Sequence, residues 1–103
     1  MTVAVRYSAA ARDDLRRLYR HLLDRCTTVA DLDIAERALD AIESGIASLA
    51  HSPFIYRKVG DSPFLRERLI PFGRSGYVAL FEIEDAATVT ILAVRHQLED
   101  DYH

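Results

Sequence analysis

Four arginines and a histidine are the residues of this 103-residue chain whose types could do chemistry together. They are Arg66, Arg68, Arg74, Arg95 and His96. An arginine side chain binds phosphate through the N–H donors of its planar guanidinium, and a histidine can accept and release a proton near neutral pH. Such a set could cleave RNA through its own 2′-hydroxyl group, but no convincing general base accompanies it. The alternative is that these arginines face solvent on a strand or bind an acidic partner.

Other kinds of active site find no support in the sequence. The four scattered glycines form no phosphate-binding loop, and no serine lies in a nucleophile elbow. The histidines lack metal-ligand spacing with each other or with Cys26. Asp13 and Asp14 are adjacent, and neighbours on a helix diverge by about 100°, so we expect solvated charges rather than an acid–base pair. The sequence therefore predicts no catalytic residue, no metal and no cofactor.

The stretch from residue 65 to residue 96 must position the arginines. It contains three strand-like runs separated by turn signals at 73–76 and 84–87, which is typical of an antiparallel meander. Alternation puts Leu65 and Leu69 opposite Arg66 and Arg68. In the second run, one face holds Tyr77, Ala79, Phe81 and Ile83, and the other holds Val78 and Leu80. In the third run, one face holds Val89, Ile91 and Ala93, and the other holds Leu92 and Val94. Because the last two runs are apolar on both faces, both sides of the sheet need cover.

The N-terminal half predicts a short strand followed by two helices. Val3, Val5 and Tyr7 alternate with polar or small residues, and apolar residues at helical spacing indicate helices at about 9–25 and from Thr28 to about Ala50. Residues 51–64 carry two prolines and a glycine, which is typical of a loop. We therefore predict a single α+β domain over residues 1–103, with element order β-α-α-β-β-β. An antiparallel two-helix hairpin packs on one face of a small, mainly antiparallel four-stranded sheet.

The second face of that sheet is a candidate binding surface. The helix hairpin can cover only one side, and an exposed apolar face on a small protein commonly marks a protein-binding surface. The 51–64 loop and the C-terminal residues could instead fold across it. Leu80, in the central strand of this face, is the apolar residue that we expect a partner to contact.

Composition limits the partners and the compartment. Sixteen acidic residues against thirteen basic ones give a net charge of −3, which argues against direct nucleic-acid binding. A lone cysteine fits a reducing compartment. With no signal peptide and no apolar run of membrane-spanning length, we expect a cytoplasmic protein without membrane contact.

In order, these pieces make the chain similar to a known family. The segments are "SAAARDDLRRLYRHLL", "AERALDAIESGIASLAHSP", "LRERLIPFGRSGYVALFEIED" and the ending "VTILAVRHQLEDDYH". They resemble the ParE branch of the RelE/ParE superfamily of type II toxins over nearly the whole chain. The resemblance implies a RelE/ParE-like fold and a toxin that inhibits DNA gyrase without catalytic residues. It also implies a ParD-like antitoxin, bound to the toxin as a hetero-oligomer, whose C-terminal segment would cover the open side of the sheet.

The RelE branch is the alternative implied by the resemblance. Its members cleave mRNA on the ribosome with a strongly basic surface, whereas this chain is acidic and contains one lysine, Lys58. A third hypothesis is a binding module that has lost toxicity. We assign contacts with antitoxin or target to six residues, Arg66, Arg68, Arg74, Leu80, Arg95 and His96. Arg66 and Arg68 are expected to meet an acidic antitoxin segment first, and their replacement by glutamine is expected to leave the fold intact.

Overall fold

The structure, a computed structural model, describes residues 2–98. It confirms an α+β architecture. Along the chain, the elements are β1 (Ala4–Tyr7), α1 (Ala9–Asp24), α2 (Val29–Ala47), two 3₁₀ turns (Ser48–Ala50 and Pro53–Ile55), β2 (Arg57–Val59), β3 (Ser62–Phe72), β4 (Ser75–Asp85) and β5 (Thr88–His96). No helix in this part of the chain is long and apolar enough to span a membrane.

Both helices begin at hydroxyl caps. The Ser8 hydroxyl accepts from the Ala11 N–H at 3.0 Å, and the Thr28 hydroxyl accepts from the Asp31 N–H at 3.0 Å. Each cap satisfies a backbone donor that has no partner within the helix. The Asp31 carboxylate accepts from the backbone N–H and the hydroxyl of Thr27, both at 3.0 Å. These bonds, the backbone one first, hold the pKa of Asp31 below its usual value.

The sheet has five strands in the order β1-β5-β4-β3-β2, so the prediction of four strands missed one. β1 pairs with β5 in parallel, and all other neighbours are antiparallel. The additional strand, β2, lies inside the segment predicted to be a loop. Gly60, with a φ of 66°, makes the turn that lets β2 fold back onto β3. An ion pair of 2.8 Å between Arg57 and Glu67 joins these two strands.

The two helices pack on one side of the sheet, which we call the helix face. Side chains from α2, the first 3₁₀ turn and the central strands fill the core there with almost no solvent exposure. The largest of them are Ile42, Ile46, Leu49, Phe81, Ile91, Val89 and Val94. The opposite side, the open face, carries Leu65, Leu69, Val78, Leu80 and Ala93, as the strand pairing shows. No described helix packs on the open face, so the prediction that the helix hairpin covers a single side is confirmed.

A β-bulge in β5 changes the predicted faces of that strand. Leu80 pairs with Ala93, but Phe81 pairs with Ile91, so Leu92 is the extra residue. Ile91 and Val94 therefore both belong to the helix core, and Ala93 lies on the open face. Strict alternation had placed Ile91 with Ala93 and opposite Val94, which is wrong.

The end of β1 explains a buried carboxylate. β1 ends opposite Ile91, so the backbone N–H of Val94 lies beyond the end of the neighbouring strand. The Asp14 side chain of α1 accepts from that N–H at 2.8 Å and is itself buried. A buried backbone donor needs such a partner, and Asp14 thereby holds α1 against the sheet. The expectation that Asp14 is a solvated charge is wrong.

Candidate functional site

Arg66 is a buried residue of the helix face. The residue is only 8% exposed. Its guanidinium donates three hydrogen bonds to backbone carbonyls: to Pro63 at 2.8 Å, and to Phe54 and Tyr56 at 2.9 Å each. The guanidinium carbon also lies 5.2 Å from the centroid of the Phe54 ring. These contacts tie the second 3₁₀ turn and the approach to β2 to the sheet.

Arg68 makes a similar connection to the end of α2. Its Nε donates to the Gly45 carbonyl at 2.9 Å, and its Nη1 donates to the Leu69 carbonyl at 3.2 Å. Its guanidinium lies 4.8 Å from the centroid of the Tyr56 ring. The last carbonyls of a helix have no partner within the helix, so the Gly45 contact helps to cap α2.

The structure corrects the expected environment of these two arginines. They share one side of β3, as predicted, but that side is the helix face, where Arg66 is opposite Phe81 and Arg68 is opposite Ala79. Leu65 and Leu69 face the other way, toward the open face. The expectation that replacing Arg66 and Arg68 leaves the fold intact therefore loses its basis.

The other charged candidates lie in different places. Arg74 is exposed in the two-residue turn between β3 and β4. Arg95 is paired with Val78, which puts it on the open face, and its Nη1 donates to the carbonyls of His96 and Gln97 at 3.3 Å each. Arg74 thus lies at the end of the β3–β4 pair, and Arg95 lies on the open face.

His96 lies on the helix face at the end of β5, and its two ring nitrogens are both engaged. Nδ1 accepts from the Leu98 N–H at 3.1 Å, so in the neutral ring the proton is on Nε2, which lies 3.1 Å from the Ser75 hydroxyl. The ring also stands edge-on to Tyr77, with centroids 5.4 Å apart. A general base needs a free lone pair aimed at its substrate, and here Nδ1 is occupied by the backbone.

The five residues considered for chemistry are therefore not brought together. Arg66 and Arg68 are on β3, whereas His96 is on β5, two strands or about 10 Å away across the sheet. Arg95 is on the opposite face from His96. Within residues 2–98, no three His, Cys, Asp or Glu side chains lie close enough to hold a metal ion.

The open face presents an apolar strip bounded by charges. Val78 and Ala93 are buried at its centre, Leu80 and Leu65 are half-buried, and Leu69 is 39% exposed. Glu67, which pairs with Arg57, lies between Leu65 and Leu69 on β3 and opposite Leu80, and Arg95 lies opposite Val78. The 51–64 segment does not fold across this face, because it adds β2 to the sheet edge and packs Tyr56 against Phe81 on the helix face. The other cover considered, residues 99–103, lies outside the described part of the chain.

A groove that the sequence did not reveal opens between α1 and the end of the sheet. We call it the α1 groove. It encloses about 630 Å³ and is lined by Arg17, Leu18, His21, Leu22, Arg25, Tyr77, His96 and Leu98. Its lining combines leucine and tyrosine side chains with basic side chains of α1. Leu18 and Leu22, which repeat along α1, were the available signal, but they served to predict only core packing.

Tyr77, which lines the α1 groove, gives a testable pH dependence. It is 4% exposed, and burial raises its pKa above the ordinary value of 10.0. The folded state thus favours the neutral phenol, and its stabilising effect is full below pH 10 and is lost as pH rises through the raised pKa. We expect Tyr77→Phe to reduce the fall in melting temperature between pH 8 and pH 11. Equal falls in both proteins would show that Tyr77 titrates normally.

Comparison with known proteins agrees with this architecture. Residues 5–101 match the family model described as the ParE toxin of the type II toxin-antitoxin system, parDE. The chain therefore belongs to the ParE toxin family and is a type II toxin, and the expected resemblance is confirmed.

Individual relatives extend the comparison. Toxin RelE3 of Caulobacter vibrioides is 39% identical over 97 residues, covering 93% of this chain and 96% of the relative. Toxin RelE1 of the same organism is 34% identical over 99 residues, covering 96% and 98%. A solved structure titled "Chromosomal ParDE TA system from P. aeruginosa" shares the fold with a TM-score of 0.69 at 17% identity, covering 92% of this chain and 96% of the other.

Proposed function

We propose that this toxin inhibits DNA gyrase as a non-enzymatic protein ligand and is neutralised by a ParD-like antitoxin. One observation supports the non-enzymatic mode above all: the groups needed for RNA cleavage do not converge. Arg66 and Arg68 are engaged with backbone carbonyls, and both nitrogens of His96 are engaged as well. A phosphate-cleaving site needs its cations and its base around one reacting group.

Charge supports the same proposal. A toxin that acts on ribosome-bound mRNA must approach a phosphate-rich surface, which favours clusters of lysine and arginine. This chain has a net charge of −3, and two of its candidate arginines point into the helix face. Because gyrase acts on the chromosome, we propose that the toxin works in the cytoplasm.

The target can be tested by measuring two outcomes in the same cells. The toxin is induced briefly without antitoxin, and plasmid supercoiling and transcript integrity are then measured together. We expect relaxed plasmid with intact transcripts, and purified toxin should block supercoiling by purified gyrase. Cleaved transcripts with normal supercoiling would replace this proposal with the endoribonuclease alternative. Normal growth with both readouts unchanged would support a non-toxic binding module.

We propose that the antitoxin covers the open face. The strip of Leu65, Leu69, Val78, Leu80 and Ala93 spans three strands. No described element packs over it, and an apolar strip bordered by charged residues is suited to a protein partner. Arg74 at the strand end and Arg95 on the same face would meet acidic antitoxin side chains, where arginine can bind carboxylates bidentately.

Leu80→Asp tests this surface. Leu80 is half-buried in the central strand of the open face, between Glu67 and Ala93. A carboxylate there would be removed from water by a bound partner, which costs at least the roughly 1–3 kcal/mol of an unpaired neutral polar group. We therefore expect antitoxin affinity to fall by roughly ten- to a hundredfold, with the circular dichroism spectrum retained.

Ala87→Asp is the matched control for that variant. Ala87 is exposed in the turn between β4 and β5, away from the open face. The Ala87→Asp substitution introduces the same charge as Leu80→Asp. Because it lies away from the open face, antitoxin affinity should equal that of the parent toxin. If Leu80→Asp folds and binds antitoxin as tightly as Ala87→Asp does, the antitoxin does not contact the open face.

Antitoxin binding should also raise the stability of the toxin. A ligand that binds only the folded state stabilises it by mass action, by roughly 3–4 kcal/mol at 100 to 1,000 times the dissociation constant. The expected result is a higher melting temperature for the toxin as antitoxin is titrated, and a smaller rise for Leu80→Asp. A melting temperature that is independent of saturating antitoxin would contradict a folded-state complex.

A further inference from the structure

We propose that Phe54, Ile55 and Phe64, which we call the edge patch, form the surface with which the toxin binds its target protein. The partner surface has the complementary chemistry, with an apolar centre bordered by carboxylates. This inference rests on the proposed function, in which the target is gyrase, and it separates the target-binding surface from the open face proposed for the antitoxin.

The edge patch is an apolar surface at the end of the sheet that the helices leave uncovered. Ile55 is 73% exposed, and the two phenylalanines are 54% and 51% exposed. Phe64 lies two residues before Arg66 on β3, so alternation puts both side chains on the helix face. Arg68 contacts the Gly45 carbonyl of α2, and Phe64 lies about 13 Å further along the strand. Large apolar side chains exposed together on a small protein are typical of a protein-binding surface.

Arg66 holds the parts of the edge patch beside one another. It donates to the carbonyl of Phe54 and to that of Pro63, the residue before Phe64. Its guanidinium carbon lies 5.2 Å from the centroid of the Phe54 ring, and Ile55 follows in the same 3₁₀ turn. The patch is therefore ordered before a partner binds, which lowers the entropy cost of association.

The strands beside the edge patch give it a basic border. β2 and β3 place three charged side chains on the helix face, and all of them are cationic: Lys58, Arg66 and Arg68. Glu67 of β3 lies on the open face, and Asp61 is in the turn between the two strands. An apolar partner surface that carries carboxylates at its rim is complementary to this arrangement.

The same residues favour a protein partner over a nucleic acid. A nucleic-acid strand is bound by stacking of its bases on aromatic rings and by several cations that contact its phosphates. Here Arg66 and Arg68 donate to backbone carbonyls, and Ile55, the most exposed residue of the patch, offers no ring for stacking. Exposed phenylalanines beside arginine are typical of protein interfaces.

The edge patch and the open face lie on opposite sides of the same strands. Phe64 is on the helix face of β3, and its neighbour Leu65 is on the open face. An antitoxin on the open face would therefore leave the patch side chains uncovered. It would still lie at the same edge of the sheet, where its bulk can exclude a target as large as gyrase. Substitutions can accordingly separate the two interactions.

Ile55→Ser and Phe64→Ser test the edge patch in the whole chain. Each removes an exposed apolar side chain, and we expect the toxin concentration that half-inhibits supercoiling by purified gyrase to rise roughly tenfold. The circular dichroism spectrum and the antitoxin affinity should equal those of the parent. Val29→Ser is the matched control, because Val29 is an exposed apolar residue at the start of α2, and it should inhibit as the parent does. Leu80→Asp should show the reverse pattern, with weaker antitoxin binding and unchanged inhibition.

Lys58→Glu tests the charge of the partner. Lys58 is exposed, and its replacement changes an attraction into a repulsion. Association with immobilised gyrase should slow by roughly fivefold at low salt and by less at high salt. Arg20→Glu, exposed on α1, makes the same charge change away from the patch and should associate as the parent does. Equal slowing by both variants would contradict an acidic partner surface at the edge patch.

The outcomes separate this inference from the proposed function. Weaker inhibition by Ile55→Ser and Phe64→Ser with antitoxin binding retained, and the reverse for Leu80→Asp, would establish the edge patch as the target-binding surface. Full inhibition by the folded patch variants would overturn this inference alone. A parent toxin that leaves gyrase active would overturn the proposed function and this inference with it. Loss of antitoxin binding with inhibition retained would assign the patch to the antitoxin.

A labelled single-stranded DNA oligonucleotide tests the nucleic-acid alternative. We expect no binding to it by the parent toxin. Binding that Lys58→Glu abolishes and Ile55→Ser leaves unchanged would assign the basic border to nucleic acid and refute a protein partner.

Discussion

Arg66→Gln is expected to lower the free energy of unfolding by about 3 kcal/mol or more. The wild-type guanidinium donates to the carbonyls of Pro63, Phe54 and Tyr56, all within 2.9 Å, and is shielded from water. A hydrogen bond to a charged group contributes about 1.5–3 kcal/mol, and a buried acceptor left without a donor costs about as much. Glutamine has one amide in place of the guanidinium fork and cannot reach all three carbonyls.

The measurement is chemical denaturation of the free toxin, with Arg74→Gln as the control. Arg74 is exposed in a turn, so the free energy of unfolding of that variant should lie within about 0.5 kcal/mol of the parent's. Arg66→Lys should have an intermediate free energy of unfolding, because lysine keeps the charge but lacks the planar guanidinium with its several N–H donors. If the Arg66→Gln protein is as stable as the parent but binds antitoxin more weakly, Arg66 contacts the antitoxin and does not stabilise the fold.

Gly76→Ala is expected to destabilise the toxin by about 4 kcal/mol or more, which could leave it unfolded at 37 °C. Gly76 is buried at the start of β4, and a Cβ built on it would overlap the backbone carbonyl oxygen of Ile70 in the neighbouring strand. Because the obstacle is backbone, it cannot move aside as a flexible side chain can. β3 and β4 would have to separate at Ile70, whose side chain belongs to the core.

Gly60→Ala separates this effect from the general cost of adding a methyl group to a glycine. A Cβ at Gly60 meets no atom within 4 Å, so the only penalty is its φ of 66°, which costs about 1 kcal/mol. The melting temperature of Gly76→Ala should therefore be lower than that of Gly60→Ala by about 10 °C or more. Similar melting temperatures would mean that the β3–β4 pair can absorb the methyl group.

The helices and the meander were predictable because their signals are local. Ser8 and Thr28 mark the helix starts through hydroxyl caps, and apolar spacing marks the buried sides. β2 was missed because its three residues lie between proline and glycine, and only pairing with β3 makes them a strand. The bulge at Leu92 was missed for a similar reason, since an extra residue in β5 leaves no local sequence signal but reverses every face beyond it.

The side on which Arg66 lies could have been derived from the sequence. A two-residue turn at Gly73 and Arg74 sets the register of β3 on β4, which pairs Ile70 with Tyr77 and Arg66 with Phe81. Arg66 therefore shares the face of Phe81, the largest fully buried side chain. The apolar alternation alone suggested the reverse, because leucines on β3 face outward and arginines face inward. The α1 groove was beyond such reasoning, since its walls come from a helix and two strand ends that are distant in sequence.

The parallel pairing of β1 with β5 has a consequence for the order of folding. It joins Ala4 to Thr88, residues 84 positions apart, whereas β3, β4 and β5 are connected by short turns. Closing the longer loop costs more entropy, so we expect the meander to form first and β1 to arrive last. Until then, β5 is an unprotected edge, open to strands of other chains. The yield of refolded toxin should therefore fall as protein concentration rises. By pairing with β5, β1 protects this edge from aggregation.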